Sequence, residues 1–203
     1  MSQVVLIDGE NLIHKVLHVL EEAEEITDRD QILSFNIKAL LEAVLGSHLA
    51  SDAVINYYST KVHQVDEPEY LAKKTADMIS WNSRWVPFLN NLGITYIKAG
   101  NLQVRDSKKC HYCGKHTHTL QEKGVDVRLA VDLLLAAEAG SEVILVSSDS
   151  DIIPAVNAAK LKKADISYVG FDFLNNDALS VASDRTFTIN SEKVINIYKA
   201  GKQ

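Results

Sequence analysis

Three aspartates stand where an apolar run hands over to a turn. Asp8 follows Val4-Val5-Leu6-Ile7, while Asp149 and Asp151 follow Val143-Ile144-Leu145-Val146 across Ser147 and Ser148. Asp126 precedes that second run, at the start of the helical stretch that feeds it. Carboxylates gathered from separate segments repel one another and need a counter-charge. With no cysteine or histidine in these segments, their oxygens suit Mg²⁺ or Mn²⁺ better than Zn²⁺. An ion held there orients a water, helps deprotonate it and stabilises charge building on a phosphodiester during in-line displacement. The plainer reading makes each Asp a helix cap or turn former; it suits one strand-end Asp better than a set. Ser147 and Ser148 are placed to donate to phosphate or to the carboxylates, or to serve only the turn. Lys123 and Arg128 flank Asp126 and are candidates for phosphate contacts, which give affinity without sequence choice.

These residues converge only if the chain is an α/β sheet. Apolar runs at 4–7, 53–58, 93–98, 143–146, 166–169 and 186–189 read as strands, the shortest as strands buried on both faces. Between them lie helical patterns: Leu12, Val16, Leu17 and Leu20; Gln31 to Leu45; 68–92; about Gly124 to Ala139; Asp151 to Leu161; and 176–182. Trp81, Trp85 and Leu89, spaced i, i+4, i+8, form a stripe that reads as core packing. Pro154 suits a helix's first turn, where its missing N–H costs least. Strands alternating with helices predict βαβ units and a three-layer parallel sheet with helices on both faces. In such a sheet ligands bind beyond the carboxyl ends of the strands, where strand order reverses. Asp8, Asp149 and Asp151 fall at those ends.

The composition, 46% hydrophobic and 24% charged, is that of a globular protein. One domain over residues 1–203 is expected. The start shows no signal-peptide pattern and no apolar run approaches the ~20 residues that span a bilayer, so a cytoplasmic protein without a membrane partner is expected. A net charge of −6 makes no global case for nucleic acid. The segment 98–123 is nevertheless locally basic, with Lys98, Arg105, Lys108, Lys109, Lys115 and Lys123 against Asp106 and Glu122. Within this excursion, at about 101–121, Cys110, Cys113, His116 and His118 are candidate Zn²⁺ ligands, with His111 between them. Their spacing departs from that of familiar fingers, and a metal-free reduced pair or a redox role stays open. Phosphate-loop, dinucleotide-binding and serine-hydrolase motifs are absent. A phosphatase of the haloacid-dehalogenase kind wants a second Asp where Glu10 stands.

Four ordered segments resemble the NYN domains, in particular the LabA-like group, within the PIN-like ribonuclease superfamily. They are Val5-Leu6-Ile7-Asp8-Gly9-Glu10-Asn11, Glu122-Lys123-Gly124-Val125-Asp126-Val127, Leu129 to Leu134 and Val146-Ser147-Ser148-Asp149-Ser150-Asp151. The resemblance runs from about residue 3 to 190. It implies a PIN-like fold with the first and fourth apolar strands central, Mg²⁺ or Mn²⁺ at the acidic pocket, and RNA as substrate, cut by an endoribonuclease. Carried over by position, Asp8, Asp126, Asp149 and Asp151 match the metal-site and catalytic positions. Asn11 stands beside Asp8. Asp132 also matches, but six helical residues at ~100° each turn it about a third of a turn off the face of Asp126, so it is expected to support rather than ligate. The alternative is a PIN-like module that binds RNA or protein without cutting. The sequence leaves a homo-oligomer open.

Overall fold

The computed structural model describes residues 2–202 apart from 107, 108, 110, 111 and 115. Its strands are β1 (Gln3–Asp8), β2 (Val54–Lys61), β3 (Ile94–Asp106), β4 (His118–Lys123), β5 (Glu142–Val146), β6 (Asp165–Phe171) and β7 (Arg185–Ile189). The helices are α1 (Gly9–Glu22), α2 (Ile37–Leu45), α3 (Glu69–Asn91), α4 (Val125–Ala136), α5 (Ile153–Leu161), α6 (Asp177–Ala182) and α7 (Ser191–Ala200). One sheet takes the order β4-β3-β2-β1-β5-β6-β7. Every neighbouring pair is parallel except β3 and β4, which are antiparallel. The chain winds outward from β1 through β2 to β4, then returns to the other side of β1 as β5. The switch point therefore lies between β1 and β5, the strands that end at Asp8 and just before Ser147.

Alternation along the strands builds two cores. Val5, Ile7, Ile55, Tyr57, Ile144 and Val146 pack with Ile13, Leu20, Leu40 and Val194 of α1, α2 and α7. Leu6, Tyr58, Val143, Leu145 and Ile166 pack with Leu129, Leu133, Val156 and Ala159 of α4 and α5. Both faces of the sheet are thus covered, which is why its central strands read as continuous apolar runs. Each fully buried aliphatic side chain contributes about 1.5–3 kcal/mol. Trp85 and Leu89 are buried without remainder and Trp81 is 6% exposed, so the aromatic stripe belongs to the first core.

Two element expectations need correction. The helix read from Gln31 to Leu45 begins only at Ile37, where Asn36 caps it by accepting from the Ala39 N–H. The preceding residues form a separate 3-10 turn, Arg29–Ile32, capped by Asp28 and Gln31. The expected sheet with helices on both faces is present and mostly parallel, and the excursion at about 101–121 is strand at its two ends. Residues 101–106 continue β3, and β4 pairs back on them from Asn101↔Lys123 to Asp106↔His118. Helix α7 was not expected.

Candidate active site

Asp8 is the last residue of β1 and the N-cap of α1. Its Oδ1 accepts from the Asn11 N–H at 3.2 Å and its Oδ2 from Ser147 Oγ at 3.1 Å. Gly9 follows because nothing larger fits: a Cβ there would stand 2.3 Å from the Tyr57 ring and 2.6 Å from the Tyr58 carbonyl. Ser147 also accepts from the Asp149 N–H, and Asp149 Oδ1 accepts from the Asp151 N–H at 2.8 Å. Asp149 thereby caps the 3-10 turn Ser150–Ile152. Asp8 and Asp149 are therefore both caps, yet each carboxylate can accept more bonds than these.

A second line of contacts binds α1 to the β5 turn. Ser148 Oγ donates to Asn11 Oδ1 at 3.0 Å, and Lys15 Nζ donates to Ser148 Oγ at 2.5 Å. Asn176 Nδ2 holds the Ser148 carbonyl at 3.0 Å. Lys15 is buried, its ammonium 5.4 Å from the centre of the Phe171 ring. Burial lowers its pKa, while the charge of Asp8 acts in the opposite direction. Sequence reasoning missed this cation, since a lysine on a helix reads as solvated.

Asp126 sits in the first turn of α4, behind the left-handed Gly124 (φ 96°). Gly124 packs against Gly100 of β3, where a Cβ would stand 2.4 Å from the Lys123 carbonyl. This close passage sets where α4 starts, and with it Asp126. The charges there act on one another. Burial pushes the Asp8 carboxyl up to about 6, aided by Asp126 and Asp149 and opposed by its two hydrogen bonds. Asp126 is raised by burial, then by Asp149 and Asp151. Glu122, at the end of β4, is raised to about 7 by burial and then by Glu10, Asp8 and Asp126. Glu122 was not among the expected site residues; the antiparallel return of β4 brings it there.

Asp132 takes a different direction. It accepts from Tyr58 Oη at 2.9 Å and from Arg128 Nε at 2.9 Å, so Arg128 is engaged in an ion pair. Lys123 is exposed at the end of β4. Of the candidate zinc ligands, Cys110 lies outside the described residues, as do His111, Lys108 and Lys115. Cys113 is an exposed free thiol, and His118 Nδ1 meets Asp106 Oδ1 at 2.5 Å. Among the described residues no three His, Cys, Asp or Glu side chains stand close enough to hold a metal as they are. The acidic set fits a hard cation by its chemistry, with oxygen donors, mutual repulsion and carboxyls raised toward protonation. Asp126 and Asp151 are exposed.

A model of the NYN domain family matches residues 3–191. The crystal structure of a protein of unknown function from Vibrio parahaemolyticus is similar, with a TM-score of 0.52 over 93% of this chain and 92% of that one. At 17% identity it shows the fold alone. No curated protein matches. Among the described residues no helix is long and apolar enough to cross a membrane.

Proposed function

This chain belongs to the NYN domain family, and from that premise we propose that it is a divalent-metal-dependent endoribonuclease of the LabA-like group. NYN domains are part of the PIN-like nuclease superfamily, are in general ribonucleases and act on RNA. The observation that carries the reading is that Asp126 and Asp149 stand near enough to Asp8, at the switch point of the sheet, for their charges to act on its carboxyl. A protein that only binds RNA has little use for several mutually repelling carboxylates.

In this reading Asp8, Asp126, Asp149 and Asp151 hold Mg²⁺ or Mn²⁺, with Glu122 close by. When bound, the ion neutralises the carboxylates and the charge gathering on the phosphodiester, and lowers the pKa of the attacking water. The chain's own groups do the positioning. The Asn11 N–H and Ser147 fix both oxygens of Asp8, and Lys15 fixes Ser148 and, through it, the Asn11 amide. Lys123 and Arg128 are placed at the rim for RNA phosphates, Arg128 by exchanging its contact with Asp132. The whole chain acts as one domain in the cytoplasm, and zinc at Cys110, Cys113, His116 and His118 would shape the β3–β4 hairpin.

Incubation with mixed single-stranded and structured RNA in Mn²⁺, in Mg²⁺ and in chelator tests this. Cleavage in metal and none in chelator is expected. RNA binding without cleavage in any metal would replace the proposal with a binding module.

A further inference from the structure

Between the carboxyl end of β2, β3 and α3 lies a cleft of about 430 Å³. Its lining holds Lys61 and Lys98 and, among the described residues, no carboxylate. In a chain of net charge −6 this local excess of positive charge sets the place apart. The neighbouring cleft shares Thr60, Val62 and Asn82 with it, but carries Glu10, Asp28, Asp30 and Asp77 against Arg29, Lys74 and Arg84. An anion gains nothing on that side of the shared wall and meets two ammoniums on this one. A cleft lined by one sign of charge concentrates ligands of the other.

Both lysines are exposed, so a ligand reaches them from solvent. Neither enters an ion pair or a hydrogen bond among the described residues. The arginines differ: Arg29, Arg84, Arg128 and Arg185 are engaged by carboxylates and Arg105 by Gln121. The cations left to meet phosphate are therefore lysines.

The register of the sheet joins this cleft to the acidic site. Asp8 pairs with Tyr58, Ser59 with Lys98, and Lys61 with Asn101, which pairs on its other side with Lys123. Lys61, Asn101 and Lys123 thus form a row across three strands, its outer α-carbons about 10 Å apart at ~4.8 Å per strand. Tyr96 lines the cleft, and the charges of Glu10 and Glu122 act on its hydroxyl, so the two places adjoin. Stacked on Tyr57 at 5.9 Å, Tyr96 joins Val86 and Pro87 in an apolar wall. A bare phosphate would leave that wall unused, whereas single-stranded nucleic acid suits a basic groove with an aromatic side. We propose that Lys61 and Lys98 hold the phosphodiester backbone of an RNA strand that leaves the acidic site across the carboxyl ends of β2 and β3 toward Lys123. The inference rests on the reading of the protein as a ribonuclease and gives its substrate a route across the sheet. Backbone contacts of this kind position the strand without reading its bases.

The test is the fluorescence anisotropy of labelled single-stranded oligo(A) and oligo(U) RNAs, titrated in chelator over a range of salt concentrations so that nothing is cut. Each phosphate contact on a single strand contributes about 0.7 to the slope of log affinity against log salt. Lys61→Gln and Lys98→Gln should each lower the slope by about that amount and weaken binding about fivefold at about 0.1 M salt, equally for both RNAs. Lys38→Gln removes the same charge from a cleft at the opposite end of β2 and β3 and should leave slope and affinity nearly unchanged. A slope unchanged in either cleft variant overturns the proposal. So does a loss matched by Lys38→Gln, a loss confined to one of the RNAs, or no binding by the unaltered protein. Slopes that fall as expected without cleavage in any metal would remove the nuclease reading and leave the backbone route; cleavage in Mn²⁺ with slopes unchanged would do the reverse.

Discussion

Lys15 Nζ donates to Ser148 Oγ at 2.5 Å, joining the second turn of α1 to the turn after β5. Ser148 in turn donates to Asn11, whose N–H holds Asp8. One buried cation thus ties together the two strand ends that carry the carboxylates. Lys15→Met keeps the buried stem and removes the charge and donor. The account expects kcat to fall about tenfold or more, since a hydrogen bond to a charged group is worth about 1.5–3 kcal/mol. Lys15→Arg should recover part of it. Cleavage rates at saturating RNA, with circular dichroism as the control for folding, check this.

The raised carboxyls predict how metal-free protein responds to pH. Asp8 rises from 3.8 to about 6 and Glu122 from 4.5 to about 7. A folded-state pKa above the unfolded value means that the native state binds the proton more tightly. These two groups therefore contribute stability that is fully present near pH 4 and is lost as pH rises through about 6 to 7. The melting temperature in chelator should fall from about pH 5 to pH 8, and Mn²⁺ should raise it most at the upper end, where the carboxylates are ionised. A metal-induced shift that is largest at pH 5 contradicts the assignment.

Asp184 gives the opposite sign far from the site. Burial favours its protonated form, but the Ile166 N–H and Lys160 outweigh burial and hold its carboxyl below the ordinary range. Its contribution is present above the ordinary Asp range and is lost as pH falls below that range, through the lowered folded-state value. Asp184→Asn should lower the melting temperature at pH 7 and much less at pH 3, with cleavage at pH 7 unaffected.

Gly100 is where the hairpin meets α4. At φ 67°, with a Cβ placed 2.4 Å from the Lys123 carbonyl, alanine must displace backbone. Gly100→Ala should cost about 1–3 kcal/mol in urea unfolding from overpacking. Because the displaced segment is the start of α4, cleavage should fall further than the lost stability explains.

Asp132 separates support from chemistry. Asp132→Asn weakens the contacts with Tyr58 and Arg128 and should cost about 1–2 kcal/mol. Cleavage should drop by less than about tenfold, well short of the loss expected at Asp8. Kinetics at matched fraction folded distinguish the two.

What was legible in the sequence was what local chemistry dictates. Asp8 and Asp149 follow apolar runs that only a doubly covered sheet explains, and the order of those runs placed their ends together. Glu122 was hidden because β4 is polar and is a strand only through its pairing with β3, a contact that no local pattern announces. Lys15 was hidden for a related reason: its burial depends on the β5 turn and Phe171 arriving over α1 from far along the chain. Trp81 read correctly as core, because its spacing with Trp85 and Leu89 puts all three on one helix face. The geometric caution over Asp132 rested on helix period alone, and that residue turns toward Tyr58 and Arg128.

The central claim is that the carboxylates at the ends of β1 and β5 hold the ion that cuts RNA. The most direct measurement is the single-turnover cleavage rate in Mn²⁺ of Asp8→Asn and Asp149→Asn, each first shown to melt cooperatively. The account predicts a loss of at least about a hundredfold in each, or about 2.7 kcal/mol of transition-state stabilisation, with RNA binding in chelator retained. Cleavage at the wild-type rate by either folded variant would contradict it.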